Sequence, residues 1–386
     1  MNTKGLSEAR AHVLVFFIIL FTPLCLIPFS RHEDTENLEN RTLAPLPSIP
    51  NNPGQFAKWP GEFSAYFEDR FGLRSEMIHA AYFLRDTLPD YSGWSGTVLR
   101  GEDGWMYLAS GGRDDTIDQW RGVLNMSDAE QDLAIAKLKA WNAWLAERDI
   151  FFLIVTPPNK VSLYPEYLPA HIKPVIKTPH LDPIRNRLSA APELNFVDLE
   201  PILREGKKQH EQTLYYRTDT HWNKLGASIG AQTLTQELHQ LAPEIPLFND
   251  DDYEFGIASR KGGDLASFLL LDEQIDDIRV TAKPTNPARE VKLPQKVHRT
   301  NNVLFEFENS NASTDLSILI FHDSFLLAME PFLQPAFRHY TAKWNYDLDV
   351  SLIEETKPDI VVLEILERYW FNVSQIPWPP DMKPNQ

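Results

Sequence analysis

Four short runs of consecutive apolar residues punctuate the chain from residue 151 onward: 151–155 (FFLIV), 196–197 (FV), 316–321 (LSILIF) and 360–363 (IVVL), each bounded by turn formers or polar residues. Runs without polar alternation suit strands covered on both faces, as in a parallel sheet. Between them, apolar residues recur at helical spacing over 223–241, with Asn223 placed as a cap, and over 325–333 and 350–356. Strand alternating with helix predicts an α/β sandwich.

The N-terminal part carries different patterns. Residues 13–29 (VLVFFIILFTPLCLIPF) contain no charge, follow Lys4 and Arg10, and give way to Arg31, His32, Glu33 and Asp34. A run of about 17 apolar residues lies at the lower limit for a bilayer span and is slightly long for a signal-peptide core. No small-x-small cleavage site follows it, so residues 1–30 are expected to form an uncleaved anchor, with a cleaved signal as the other reading. The basic residues before the run place everything after Arg31 across the membrane, which in a bacterium is the periplasm. Residues 31–60, rich in Pro, Asn and Glu, read as a linker. Helical spacing returns over 63–88, and two β-prone runs flank Glu102-Asp103-Gly104 over 98–108 as a hairpin. Ser127-x-x-Glu130 fits a capping box that opens a helix with Leu138, Trp141 and Leu145 on one face. The charged, proline-rich stretch around 243–308 reads as an irregular or β insertion within a domain of 61–386.

Composition narrows the partners. The chain has 386 residues, 37 basic against 54 acidic, a net charge of -17 and a single cysteine. One cysteine excludes a disulfide scaffold and a CxxC site. The negative charge argues against nucleic acid, whose binding rests on Lys and Arg neutralising phosphates. No Gly-rich loop joined to a helix gives a dinucleotide or phosphate-loop signature, so no cofactor is expected.

Two chain segments can carry chemistry. The run 316–321 leads into His322-Asp323-Ser324-Phe325. A Ser at the turn from a strand into a helix has its hydroxyl at the sheet edge and the helix N-terminus beside it, which suits a nucleophile. A Ser there also serves as a plain helix cap. The second segment is Thr218-Asp219-Thr220-His221-Trp222-Asn223. In an extended segment, residues two apart emerge on the same side. Asp219 and His221 can therefore act as one acid-base unit, the imidazole taking a hydroxyl proton and the carboxylate fixing its tautomer. An exposed loop pair or an Asp cap gives the same sequence. Zinc sites want three or four ligands and this segment offers only two in close spacing, so no metal is expected, with His210, Asp219 and His221 together as the other reading.

Taken in order, Gly101-Glu102-Asp103-Gly104-Trp105-Met106-Tyr107, Thr156-Pro157-Pro158-Asn159-Lys160 with Tyr164-Pro165-Glu166-Tyr167-Leu168-Pro169, Thr218 to Asn223, His322-Asp323-Ser324-Phe325, and Lys357-Pro358-Asp359 with Glu367-Arg368 resemble the alginate O-acetyltransferase AlgJ/AlgX group over roughly residues 60–372. These are SGNH-hydrolase-like proteins of the periplasm, here in the circularly permuted order with Asp-x-His before Ser. The resemblance implies a flavodoxin-like α/β/α sandwich with a parallel sheet, Ser324 as acyl-accepting nucleophile, His221 as general base and acid, and Asp219 as its orienting partner. It implies acetyl transfer to hydroxyls of an exported polysaccharide, alginate-like or cellulose, with a membrane-bound MBOAT-type protein as acetyl donor and the N-terminal helix holding the enzyme at the inner membrane. An esterase acting on the same glycans and a non-catalytic polysaccharide-binding subunit are the competing readings. Asn159, after the 151–155 strand, reads as a turn residue following two prolines or as a donor to an oxyanion or a sugar hydroxyl, Trp344 as core packing or as a platform for a pyranose ring, and Arg368 as a contact for a uronate carboxylate or a structural pair with Glu367 or another acid. His322 stands where the group commonly has Gly, which would crowd the turn or bring a second imidazole to the ester.

Overall fold

The computed structural model describes residues 44–70, 97–176, 180–247, 250–269, 271–289, 304–380 and 382, together with 16, 17, 21, 22 and 25. The apolar run 13–29 thus lies almost wholly outside the described residues, and among those described no helix is long and apolar enough to cross a membrane. The chain divides into two units, Met1–Ser95 with Ser267–Leu271, and Gly96–Ala266 with Asp272–Gln386. The larger unit therefore starts at Gly96, not at residue 61.

In the first unit, helix α1 (Pro53–Arg70) begins inside the expected linker. Asn52 and Pro53 explain this: the Asn52 side chain accepts from Gln55 N at 2.9 Å, and Pro at the first helical position has no N–H to leave unsatisfied. The Trp59 and Phe63 rings stack one turn apart, with centroids at 4.9 Å.

The second unit opens with the expected hairpin, β1 (Val98–Arg100) and β2 (Met106–Leu108), followed by α2 (Thr116–Arg121) and α3 (Asp128–Ala146), which starts with the full Ser127–Glu130 capping box. Then come β3 (Phe151–Thr156), α4 (Lys160–Leu163), α5 (Asp182–Ser189), β4 (Asn195–Asp198), α6 (Glu200–Gln209) and α7 (Lys224–Leu241). The stretch expected to be an insertion forms a two-stranded antiparallel arm, β5 (Tyr253–Lys261) and β6 (Asp276–Pro284), with α8 (Asp264–Phe268) between its strands. The remainder is β7 (Leu304–Glu308), β8 (Ser317–His322), α9 (Leu326–Leu333), β9 (His339–Trp344), α10 (Val350–Thr356), β10 (Ile360–Glu364) and α11 (Trp370–Val373).

Six strands form one sheet in the order β4-β3-β10-β8-β9-β7. Five run parallel, but β7 pairs antiparallel with β9, so the sheet is mixed and the expectation of a parallel sheet is corrected. The reason is legible in LFEFE: apolar residues alternate with Glu306 and Glu308, the pattern of an edge strand with one wetter face, unlike the continuous runs of the strands inside. On one face, Phe152, Ile154, Leu319, Phe321, Val361 and Leu363 pack against Leu138, Trp141 and Leu145 of α3 and residues of α5, α10 and α11. Each such side chain contributes about 1.5–3 kcal/mol by leaving water. The alternate residues Leu153, Val155, Ile318, Ile320 and Val362, equally buried, point to the other face, where α7 packs on β4, α6 and α9. Gly226 permits the close approach of the first turn of α7, since a Cβ there would lie 2.4 Å from the Leu214 carbonyl oxygen. Because β3, β10, β8 and β9 are parallel, the segments leaving their carboxyl ends share one edge of the sheet, the usual place for a site in such folds.

Candidate active site

Ser324 stands two residues beyond the end of β8, and its Oγ lies 2.6 Å from His221 Nε2. It is not a cap: Phe325 precedes α9, and no side chain caps that helix. The turn is held by its neighbour instead. Asp323 Oδ1 accepts from Phe325 N at 2.8 Å, and Oδ2 accepts from Tyr346 Oη at 2.6 Å and Leu366 N at 3.0 Å. The Asp323 N–H donates to Glu364 Oε2 at 3.0 Å, and burial beside the Asp323 charge pushes the Glu364 carboxyl well above the usual range. His322, at the position where Gly is usual in the resembling group, does not enter the site. Its Nδ1 donates to the Asp323 carbonyl at 2.6 Å, it is 1% exposed, and burial pushes its pKa down.

The imidazole comes from a tight loop closed by a bridge between Tyr215 and Trp222. Asp219 and His221 emerge together as the spacing predicts: His221 Nδ1 donates to Asp219 Oδ1 at 2.7 Å, and the same oxygen accepts the His221 backbone N–H at 3.1 Å. Asn223, not Asp219, caps α7, its side chain accepting from Leu225 N and Gly226 N. The Trp222 indole donates to the Phe325 carbonyl at 3.0 Å, which ties the His-bearing loop to the Ser-bearing turn. Burial opposes charge on His221, but the hydrogen bond and charge of Asp219, with the charge of Asp264, outweigh it and raise its pKa. Burial likewise opposes charge on Asp219, yet the His221 hydrogen bond and the Arg260 guanidinium hold its carboxylate far below the usual range.

The arm and α4 brace this loop from behind. Arg260 of β5 donates to Asp219 Oδ2 at 3.0 Å, with its guanidinium 4.5 Å over the Tyr216 ring. Gly263 lies against Asp219 so closely that a Cβ would come within 2.4 Å of the Asp219 Cβ. Its N–H donates to Thr218 Oγ1, while Thr218 N and Oγ1 both donate to Asp277 of β6 at 3.0 and 2.5 Å. Asp264 accepts from Thr220 N at 2.7 Å and Thr220 Oγ1 at 2.5 Å. The buried Lys160 ammonium donates to the carbonyls of Asp219, Arg217 and Tyr216 at 2.8, 3.1 and 3.2 Å. Burial lowers its pKa to about 7 against the opposing charges of Asp264, Asp219 and Asp277.

Of the three residues expected to meet substrate, Asn159 and Arg368 leave neighbouring strand ends and come together, with Arg368 Nη1 at 3.5 Å from Asn159 Oδ1. The Arg368 guanidinium sits 4.9 Å from the Tyr369 ring and 5.9 Å from that of Phe325, and its charge reaches His221. Glu367 does not pair with it: Glu367 Oε2 accepts from Asn159 N and Ser162 Oγ at 2.7 Å each, and burial with the Glu200 charge pushes its pKa up to about 7. Trp344, at the end of β9, is 39% exposed, with its ring 5.7 Å from that of His322. Possible ligand atoms of Asp219, His221 and Asp264 lie within 4.8 Å of one another. Within that set His221 Nδ1 donates to Asp219 Oδ1 and Arg260 donates to Asp219 Oδ2. Sequence reading missed Arg260, Asp264 and Asp277, which sit in the arm without periodic or motif signal. It also passed over Lys160, although that residue directly follows Asn159.

A serine at a strand-to-helix turn, met by an imidazole and a carboxylate from one loop at the carboxyl edge of an α/β/α sheet, is the layout of an SGNH-hydrolase-like domain. The chain belongs to the family described as SGNH hydrolase-like domain, acetyltransferase AlgX, which it matches over residues 98–312; Asp219 and His221 fall inside that span, and Ser324 beyond it. It is 26% identical over 288 residues to the "Probable alginate O-acetylase AlgJ" of Pseudomonas aeruginosa, covering 74% of this chain and 66% of the relative. With the protein of the same name from Pseudomonas fluorescens the identity is 29% over 231 residues, covering 59% and 54%. The chain thus spans between half and two thirds of the length of these relatives. Among solved structures, PatB1 of Bacillus cereus with a sulfonyl adduct superposes with a TM-score of 0.51 at 18% identity, over 71% of this chain and 97% of that one, and shares the fold.

Proposed function

We propose that this protein is an O-acetyltransferase that moves acetyl groups onto hydroxyls of an exported polysaccharide through an acetyl-serine intermediate. The observation that carries the reading is the unbroken line from Asp219 Oδ1 through His221 to Ser324 Oγ, with contacts of 2.7 and 2.6 Å. Ser324 Oγ attacks the acetyl carbonyl of a donor ester and its proton passes to His221 Nε2. The carbonyl oxygen takes the negative charge and then returns it as the donor alcohol leaves with that proton. A sugar hydroxyl next gives its proton to His221, attacks the acetyl-serine and carries the acetyl group away, and His221 reprotonates Ser324. The Ser324 N–H, which meets no acceptor among the described residues, is the first donor to the oxyanion, and Asn159 the second. Arg368 and Trp344 are assigned to the acceptor glycan, as carboxylate contact and stacking platform.

The compartment follows from the sequence run 13–29, read as an anchor that holds the enzyme on the periplasmic face of the inner membrane. Acyl-CoA is absent there, so the donor is a membrane protein of MBOAT type that passes acetyl groups outward. The names of the AlgJ relatives support an alginate-like polymer. The test is incubation of the full chain with an activated acetyl ester and an oligosaccharide. Acetylated sugar that appears only with intact Ser324 supports transfer; free acetate alone identifies an esterase; no turnover with any acceptor or water leaves a binding subunit.

A further inference from the structure

His221 has more than one acid beside it. Asp219 takes the Nδ1 proton at 2.7 Å, and Asp264 Oδ2 stands 3.5 Å from the same nitrogen. Thr220 lies between them, its Oγ1 3.2 Å from His221 Nδ1 and donating to Asp264. The two carboxylates are not equivalent. Asp219 shares its charge with the Arg260 guanidinium at 3.0 Å, whereas among the described residues His221 is the one cationic side chain within ion-pair distance of Asp264. When His221 takes a proton, the carboxylate nearest to it is already half matched by Arg260. Asp264 is met otherwise only at longer range, by the buried Lys160 ammonium, and burial beside the Asp219 charge raises its pKa, so a positive charge on the imidazole is what favours its ionised form.

We propose that Asp264 is a second acidic positioning residue for His221, so that the imidazolium formed in the reaction is met at Nδ1 by two carboxylates, one from its own loop and one from the arm. This rests on the acetyl-transfer reading above and adds to it the reason the arm is built as it is. The turn between β5 and β6 brings Gly263 against Asp219 and places Asp264 over Thr220, closing the loop around Nδ1. Asp264 acts in two ways: it fixes Thr220, and with it the direction of the Asp219–His221 pair, and it stabilises positive charge on the ring. The groups that face the imidazole are Asp219 and Thr220 of its own loop, Asp264 from α8, Ser324 and Phe325 from the turn after β8, and Arg368 beyond β10. Arg260 and Lys160 lie behind Asp219. Arg368 opposes the protonated ring, and the two acids favour it.

The test follows the His221 ring proton by NMR against pH in the Ser324→Ala protein, with and without Asp264→Asn, and the pH profile of activated-ester turnover in the serine-containing pair. Removing the Asp264 charge disfavours the imidazolium, so the His221 midpoint and the acid limb of turnover should both move to lower pH, with a loss of about tenfold in kcat/KM. Asp264→Ser, which keeps a hydroxyl acceptor for Thr220, should give the same shift, and serves in place of the Asn variant if circular dichroism finds the latter unfolded. Asp264→Glu should return the midpoint toward wild type. A midpoint unmoved by either charge-removing variant would show Asp264 to be only a brace for Thr220 and would overturn the proposal. The parent reading fails separately, if Ser324→Ala still turns over the ester.

Discussion

The two halves of the site are built in different ways. The Ser324 half hangs on the sheet: Asp323 is bonded to Phe325 in its own turn, to Tyr346 after β9, and to Leu366 and Glu364 at the end of β10, all within the strand edge that carries it. The His221 half is a loop with little regular structure. It is held from outside by Lys160 of α4, by Arg260, Asp264 and Asp277 of the arm, and by a glycine with no room for a side chain. A nucleophile needs only a stiff turn, which parallel strands supply directly. A base that must accept, hold and return a proton needs a defined charge environment, and the fold assembles that from charged side chains distant in sequence.

The contrast can be broken at either end. Replacing the orienting carboxylate, Asp219→Asn, should lower turnover by about 10³–10⁴-fold with the fold intact, because the imidazole loses its tautomer control and its nearest counter-charge. Steady-state kinetics beside a circular dichroism spectrum check this. Gly263→Ala strikes the same loop through packing alone. Its new methyl must displace Asp219 or the arm, which should cost about 1–3 kcal/mol in urea unfolding and lower kcat/KM by about 10- to 100-fold. On the nucleophile side, Tyr346→Phe removes one of three donors to a buried carboxylate that keeps the others. Stability should fall by about 1–2 kcal/mol and turnover by less than in Gly263→Ala. Equal losses of activity in the two variants would erase the distinction between the halves.

A separate effect concerns pH. Burial lowers the folded-state pKa of Lys160 from 10.5 to about 7. Between these values the unfolded chain keeps a proton that the folded chain has released, so this group makes stability rise with pH across that window, by at most about 1.4 kcal/mol per pH unit. Below it both states are protonated and the contribution is flat. Urea unfolding at several pH values should show the rise in the wild type and a flatter line in Lys160→Met.

Much of this was legible in the sequence. The continuous apolar runs became β3, β4, β8 and β10, the Ser127–Glu130 box and the Asn223 cap started the helices they were read to start, and the Asp-x-His spacing put both side chains on one side. Such features are local, written in neighbours a few residues apart. What escaped depends on long-range contact. Asp264 has no neighbour in sequence that marks it, and acquires its place only when the arm folds back on residues more than forty positions earlier. β7 lies in a charged stretch where an edge strand alternates only weakly, and Pro53 opens α1 where the composition reads as linker; the part of the expected 63–88 helical stretch beyond Arg70 lies outside the described residues. Asn159 and Arg368 were read to the right edge of the sheet, yet their mutual contact was not foreseen.

The central claim is that Asp219, His221 and Ser324 make one reactive alcohol. Rapid quenching of the full chain with an activated acetyl ester, followed by peptide mapping in a mass spectrometer, measures it directly. A single acetyl group on Ser324, absent in His221→Ala, is the predicted result. Acetylation confined to other residues, or labelling of Ser324 that is unchanged without the imidazole, would contradict it.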